Sequence, residues 1–144
     1  MRPTAVLALG LTLGCAAPAA AQQVDDLAGL LDTLAVLWRH GEAAELAAHS
    51  AAAGLDLEVQ GRPIGSLHGR RAAAALRQLL GSQETVSVRA GSAARVVGVD
   101  DRAFGEFIWV VRMPGADASE TFKIFVALIR EEQAWRISEI RIFR

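Results

Sequence analysis

The chain has 144 residues, 52% of them hydrophobic, with 15 lysines and arginines against 16 aspartates and glutamates for a net charge of −1. It carries neither a basic block nor an aromatic–basic stripe, which argues against a nucleic-acid partner. The single cysteine, Cys15, rules out an intrachain disulfide, so stability has to come from an apolar core.

The start reads as a secretion signal. Met1-Arg2 is a minimal positive n-region, Ala5 to Ala17 is an apolar run, and Pro18 breaks it. Ala19 and Ala21 then supply the small residues of an A-x-A cleavage site. The run is too short for a membrane span, which takes about 20 apolar residues. Residues 1–21 are therefore expected to be a cleaved signal peptide and 22–144 a single domain, released to the periplasm or the exterior. Lipidation at Cys15 ranks second, because Gly14 suits a lipoprotein signal and Thr12 does not. A chain cut after Ala21 keeps no thiol for catalysis or metal binding.

Leu27, Leu30, Leu31, Leu34, Leu37 and Trp38 fall on one helical face, predicting a helix over 26–39 with Asp25 or Asp26 as N-cap and Gly41 as its stop. An alanine-rich helix over 42–52 follows, anchored by Leu46. Leu55, Leu57 and Val59 alternate with polar residues as a short strand. Gly61-Arg62-Pro63 is expected to turn and 65–69 to be a loop. Helical spacing resumes from Arg70 to Leu80, with Gly81 as a C′ residue of positive φ. Only strands follow: one from Thr85 to Val99, interrupted at Gly91-Ser92, a hairpin at Asp100-Asp101, then strands over 103–113, 120–130 and 135–143. Helices on one side of a mostly antiparallel sheet make an α+β domain.

Alternation sorts the strand residues into two faces. Phe107, Trp109, Val111, Phe122, Ile124, Val126, Leu128, Ser138, Ile140 and Ile142 form an apolar set, expected against the helices with Leu27, Leu31, Leu34, Trp38, Leu76 and Leu80. Phe104, Glu106, Ile108, Phe125, Trp135, Ile137, Glu139, Arg141 and Phe143 form a mixed outer set. That face is too apolar for water and too charged for a core, which points to a homodimer through it.

The order of elements resembles the NTF2-like superfamily in its SnoaL-like, ketosteroid-isomerase-like sense. The matching pieces are the paired N-terminal helices, the Leu55-to-Val59 strand, the Gly61-to-Arg71 segment leading into a helix, and the terminal hairpin ending Ala134-Trp135-Arg136-Ile137. Glu132-Gln133-Ala134-Trp135 stands where relatives often carry Asp-Gly-x-Trp, so the turn glycine is missing. The resemblance implies a strongly curved sheet wrapped around the helices like a cone, with a cavity inside. Trp38, Phe107, Trp109, Ile124, Val126, Ser138 and Ile140 would line it. Members include isomerases, dehydratases and proteins without chemistry, so fold does not give function.

No catalytic motif carries over. His68, in a glycine-flanked loop, is the best candidate for acid–base work, yet it has no partner at a recognisable spacing. His40 and His49 lie too far apart for ligands on one helix, so no metal is expected. Glu106, Glu139 and Arg141 fall on the outer set, where cross-strand ion pairing explains them. Asp100-Asp101 has too few oxygen donors for calcium, and 61–69 lacks the Gly-Lys-Ser/Thr of a phosphate loop. No cofactor motif is found. The expected role is an exported, non-catalytic domain that binds a small apolar ligand or acts as a dimeric interaction module. The alternative is a lyase or isomerase on a small hydrophobic substrate, with His68 as acid–base group.

Overall fold

A computed structural model describes residues 19–144, with side chains from Leu27 onward. The expected signal peptide and Cys15 lie outside the described residues, apart from Ala19 to Ala21, which open the first helix. Three helices and six strands occur in the order α1 (Ala19–His40), α2 (Ala43–Ala48), β1 (Leu55–Val59), β2 (Arg62–Leu67), α3 (Gly69–Gly81), β3 (Glu84–Arg95), β4 (Arg102–Arg112), β5 (Ser119–Glu131) and β6 (Ala134–Phe143).

Helix α1 begins upstream of the predicted residue 26, so Asp25 and Asp26 lie within it and do not cap it. It ends as predicted. Gly41 takes φ 71°, its N–H donates to the Trp38 carbonyl at 3.1 Å, and the Glu42 N–H donates to Leu37 at 2.9 Å. That pair of bonds closes a Schellman motif, which needs a left-handed residue at its centre. Helix α2 stops at Ala48, short of the predicted 52, because the next residues are claimed by the sheet. Ser50 bridges Ile137 in parallel, with Ile137 N–H donating to His49 and Ala51 N–H donating to Ile137, both at 2.8 Å.

The predicted loop after β1 is a strand. Gln60 and Gly61, at φ 51° and 76°, form a two-residue turn, and β2 pairs back on β1. Positive φ at both central residues is the turn whose twist suits a hairpin. Pro63 is tolerated because β2 is the edge strand. Gly81 is also corrected: it is the last residue of α3, and Ser82 is the C-cap at φ −77°, its hydroxyl donating to Leu79 at 2.8 Å. The Asp100-Asp101 hairpin is a longer loop, 96–101, between β3 and β4. The β5–β6 turn keeps two-residue geometry without its glycine, as Glu132 and Gln133 adopt φ 48° and 68°.

The strands lie in the order β2-β1-β6-β5-β4-β3. All neighbours are antiparallel except β1 and β6. Three irregularities interrupt the ladders around β4 and β5. The β3–β4 register shifts at Thr85/Ser87 and again at Ala90/Ala93, and the β5–β6 register shifts at Ala127/Leu128. A bulge puts two residues opposite one and increases bend and twist.

The inner face is the predicted one for β4 and β5. Phe107, Trp109, Val111, Phe122, Ile124, Val126 and Leu128 are buried, as are Ile140 and Ile142 of β6. Leu27, Leu31, Leu34 and Trp38 of α1 and Leu76 and Leu80 of α3 pack against them in one core. Trp38 meets Trp109 edge-on at 5.5 Å between ring centroids, and Trp109 meets Phe122 at 5.8 Å. The Trp109 indole N–H donates to the Thr85 hydroxyl at 3.0 Å. Leu31 packs directly over Gly105, which only a residue without a Cβ allows.

For β6 the prediction fails at one place. Trp135 and Ile137, expected outside, are buried inside, while Ser138, expected inside, is half-buried and donates to the Ala127 carbonyl at 3.2 Å. Ser138 lies at the bulge between the pairs Ala127–Glu139 and Leu128–Ile137. The extra residue resets the alternation, so residues before and after it share the inner face despite opposite parity.

Candidate functional site at the mouth of the cone

Trp38, Phe107, Trp109, Ile124, Val126 and Ile140 pack together as core. The two openings nearest the β3 and β6 ends of the core are lined by other residues. A cleft of about 210 Å³ lies where α1 crosses the β3 bulge, lined by Leu27, Ala28, Leu31, Asp32, Ala90, Gly91, Ala93, Ala94 and Arg95. The β3–β4 register shifts between Ala90 and Ala93, and Ala90, Gly91, Ala93 and Ala94 present little side-chain bulk to the cleft. A second opening of about 250 Å³ is lined by Leu30, His49, Gln133, Ala134, Trp135 and Arg136.

Trp135 lines the second opening and neighbours Arg95 of the first. It pairs with Arg130 across β5–β6 and is only 4% exposed. Two guanidiniums approach its ring, Arg130 at 5.1 Å and Arg95 at 5.7 Å from the centroid, within cation–π range. Arg95 pairs with the buried Ala103 on the inner face, and Arg130 continues the inner alternation Phe122, Ile124, Val126, Leu128. Nη2 of Arg95, Nε of Arg130 and Nε1 of Trp135 are all buried without a hydrogen-bond partner among the described residues. Buried polar groups are nearly always paired, so three such donors around one ring are unusual.

The residues singled out from the sequence are dispersed. His68 is the N-cap residue of α3, makes no capping bond with its side chain, and lays its imidazole on Gly54. His40 is exposed in the last turn of α1, and His49 is the half-buried C-cap of α2 in the second opening. Glu106 and Lys123 pair at 3.8 Å on the outer face, and Glu139 accepts from Arg141 Nε at 2.6 Å there. That hydrogen bond, reinforced by the Glu139 charge, raises the Arg141 pKa above its ordinary value. Arginine is charged at any working pH regardless, so this pair fixes geometry and not a proton. Asp101 sits in the β3–β4 loop, 3.9 Å from Arg102 Nε, and its carbonyl accepts from the Arg130 N–H at 3.0 Å. No group of three or more metal-binding side chains occurs among the described residues, and no described helix is long and apolar enough to cross a membrane.

Arg95, Arg130 and the inward Trp135 escape sequence reasoning. Arg130 left a signal, a charge at the end of an otherwise apolar inner stripe. The bulge at Ser138 concealed Trp135, and Arg95 follows the interruption expected at Gly91-Ser92.

No protein-family model matches the sequence, and no curated protein matches it. Solved structures do match by shape. A DUF4783 family protein from Bacteroides uniformis aligns at TM-score 0.64 and 15% identity, over 76% of this chain and 92% of that one. A putative scytalone dehydratase from Novosphingobium aromaticivorans aligns at 0.63 and 12% identity, over 85% and 84%. A protein from Catenulispora acidiphila with a ketosteroid isomerase-like fold, crystallised with trimethylamine, aligns at 0.60 and 17% identity, over 79% and 84%. At such identities the likeness speaks for the fold alone: the helices and the curled six-stranded sheet of this chain form an NTF2-like, ketosteroid-isomerase-like cone.

Proposed function

We propose that this chain is an exported, non-catalytic NTF2-like module that holds a small, largely apolar ligand at the mouth of its cone. The observation that carries this is the cleft between α1 and the β3 bulge. Its walls are Leu27, Ala28, Leu31, Ala90, Ala93 and Ala94, and its polar side chains are Asp32 and Arg95. Small-molecule sites are concave, mostly apolar and carry few polar groups. An acid–base enzyme would need convergent titratable groups with a positioned proton path, and the described histidines and outer-face carboxylates lie on separate elements. Titrating the purified protein with 1-octanol under ¹⁵N NMR is the test. Shifts centred on Leu27, Leu31, Ala93 and Ala94 support the reading. Their absence at millimolar octanol refutes it. Export rests on the residue 1–21 pattern, and intact-mass measurement of the protein recovered outside the cytoplasm should give a mature start at Gln22. A lipidated start at Cys15 would overturn that.

The dehydratase neighbour keeps the lyase or isomerase alternative in view, with His68 as acid–base group. His68→Ala would then abolish a turnover of the bound ligand that the binding-module reading does not expect. The outer face supports a homodimer as the partner arrangement. Phe104 and Phe125 stack there at 5.8 Å with Ile108, Val110 and Ile129 half-buried around them. Trp135 and Ile137 no longer belong to that face.

A further inference from the structure

We propose that the mouth of the cone is a carboxylate site, so that the ligand is a small amphipathic acid. Its carboxylate is held by Arg95, Arg130 and Trp135, and its apolar tail lies along the α1–β3 cleft. The inference rests on the ligand-binding reading above and names the chemistry of that ligand.

Three observations converge. The first is the type of unmet group. Arg95 Nη2, Arg130 Nε and Trp135 Nε1 are all donors, and none has an acceptor among the described residues. A carboxylate accepts several hydrogen bonds at once, and charge-assisted bonds from guanidinium are the strong kind. An alcohol or amine would offer fewer acceptor sites and no charge.

The second is charge. Two guanidiniums share one indole ring, at 5.1 and 5.7 Å, on the inner face of the sheet. Like charges brought together away from water repel, and their charged forms are favoured by an anion between or beside them. No described carboxylate forms an ion pair with Arg95 or Arg130 within 4.0 Å. Glu131 accepts from the Ala52 N–H at 3.1 and 3.2 Å, Asp101 lies beside Arg102, and Asp32, which lines the cleft with Arg95, makes no ion pair within 4.0 Å among the described residues. Arg136, which lines the second opening with Trp135, adds a further positive charge. The chain as a whole is slightly acidic, so this basic mouth is local and not a reflection of composition.

The third is shape. Arg95 is both a wall of the apolar cleft and a neighbour of Trp135. A head group at Arg95 therefore has Leu27, Leu31, Ala90, Ala93 and Ala94 beside it to receive a tail.

The experiment compares octanoate, 1-octanol and inorganic phosphate on the purified protein. Binding is followed by calorimetry and by the Trp135 indole N–H resonance, assigned with Trp135→Phe. Octanoate should bind more tightly than octanol and shift that resonance. Arg95→Gln and Arg130→Gln should each weaken octanoate by about 10- to 100-fold, and octanol by far less. Melting each variant without ligand separates lost binding from lost fold, and Arg95→Gln carries the test if Arg130→Gln does not fold. Equal affinity for octanoate and octanol, indifferent to both variants, would overturn the carboxylate site while leaving the ligand-binding reading standing. Failure of both probes would remove that reading as well. Phosphate binding as tightly as octanoate with the same arginine dependence would overturn the amphipathic acid in favour of a bare anion. Octanoate binding that emerges only in Asp32→Asn would overturn the proposal too, by showing the cleft's own carboxylate already serving Arg95.

Discussion

Ile124 lies near the middle of β5, fully buried, opposite Phe107 on β4 and Ile142 on β6. Changing it to alanine removes three side-chain carbons. At about 0.8 kcal/mol per buried carbon the transfer loss alone is about 2.4 kcal/mol. The site cannot collapse freely, because strands on both sides hold the backbone of β5 in continuous ladders. A residual cavity therefore adds to the loss and brings it to about 3–4.5 kcal/mol, inside the range of about 2–5 kcal/mol seen for such truncations. A domain of this size has about 5–15 kcal/mol in reserve, so the variant should still fold. Urea unfolding followed by tryptophan fluorescence and far-UV circular dichroism should show a lower midpoint with an unchanged slope. Val110→Ala, half-buried on the opposite face, should cost less than about 1.5 kcal/mol. A loss below about 1 kcal/mol at Ile124, or equal losses at the two sites, would refute this assignment of inside and outside.

Gly105→Ala should cost about 1–3 kcal/mol by overpacking, because the added methyl runs into the Leu31 side chain. A neutral result in the same melts would mean that α1 does not seat on β4 there. Phe125→Glu should convert a wild-type dimer to monomer in sedimentation velocity at micromolar concentration, since a charge would enter the Phe104–Phe125 stack; a monomeric wild type would end the dimer reading. Deleting Ser138 should leave the domain folded with Trp135 still protected from iodide quenching, because the bulge is then lost but Ile137 and Ile140 both keep facing inward. Deleting Arg136 instead should expose Trp135, and equal quenching of the two deletion variants would contradict the bulge.

Much of the fold was legible because burial writes itself into the sequence as a period. Strands β4 and β5 are buried on alternate residues along most of their length, and their bounds and inner faces follow from that alternation alone. The inward stripe of α1 was equally clear. Strand β2 was illegible for the converse reason. From Arg62 to Ser66 every residue is exposed, so no apolar alternation marks it, and Gly61, Pro63 and Gly65 read as punctuation. The end of α2 was lost because tertiary pairing of Ser50 with Ile137 overrides the helix propensity of the alanines after Ala48.

The candidate site was hidden by this same kind of departure. A bulge preserves the burial of a strand while breaking its parity, so a reader who counts in twos crosses from inside to outside without notice. At Ser138 this sent Trp135 to the wrong face, whereas the interruption expected at Gly91-Ser92 is the β3 bulge, beyond which Arg95 pairs with the inner Ala103. With Trp135 inside, Arg130 and Arg95 become its two flanking cations. The β3 bulge lines the cleft, and bulges gather where a sheet must bend sharply or re-aim a side chain. Irregularity and the proposed site thus fall together here. With the interior filled by Trp38, Trp109 and Phe107, the α1–β3 cleft opens where the β3–β4 ladder is irregular.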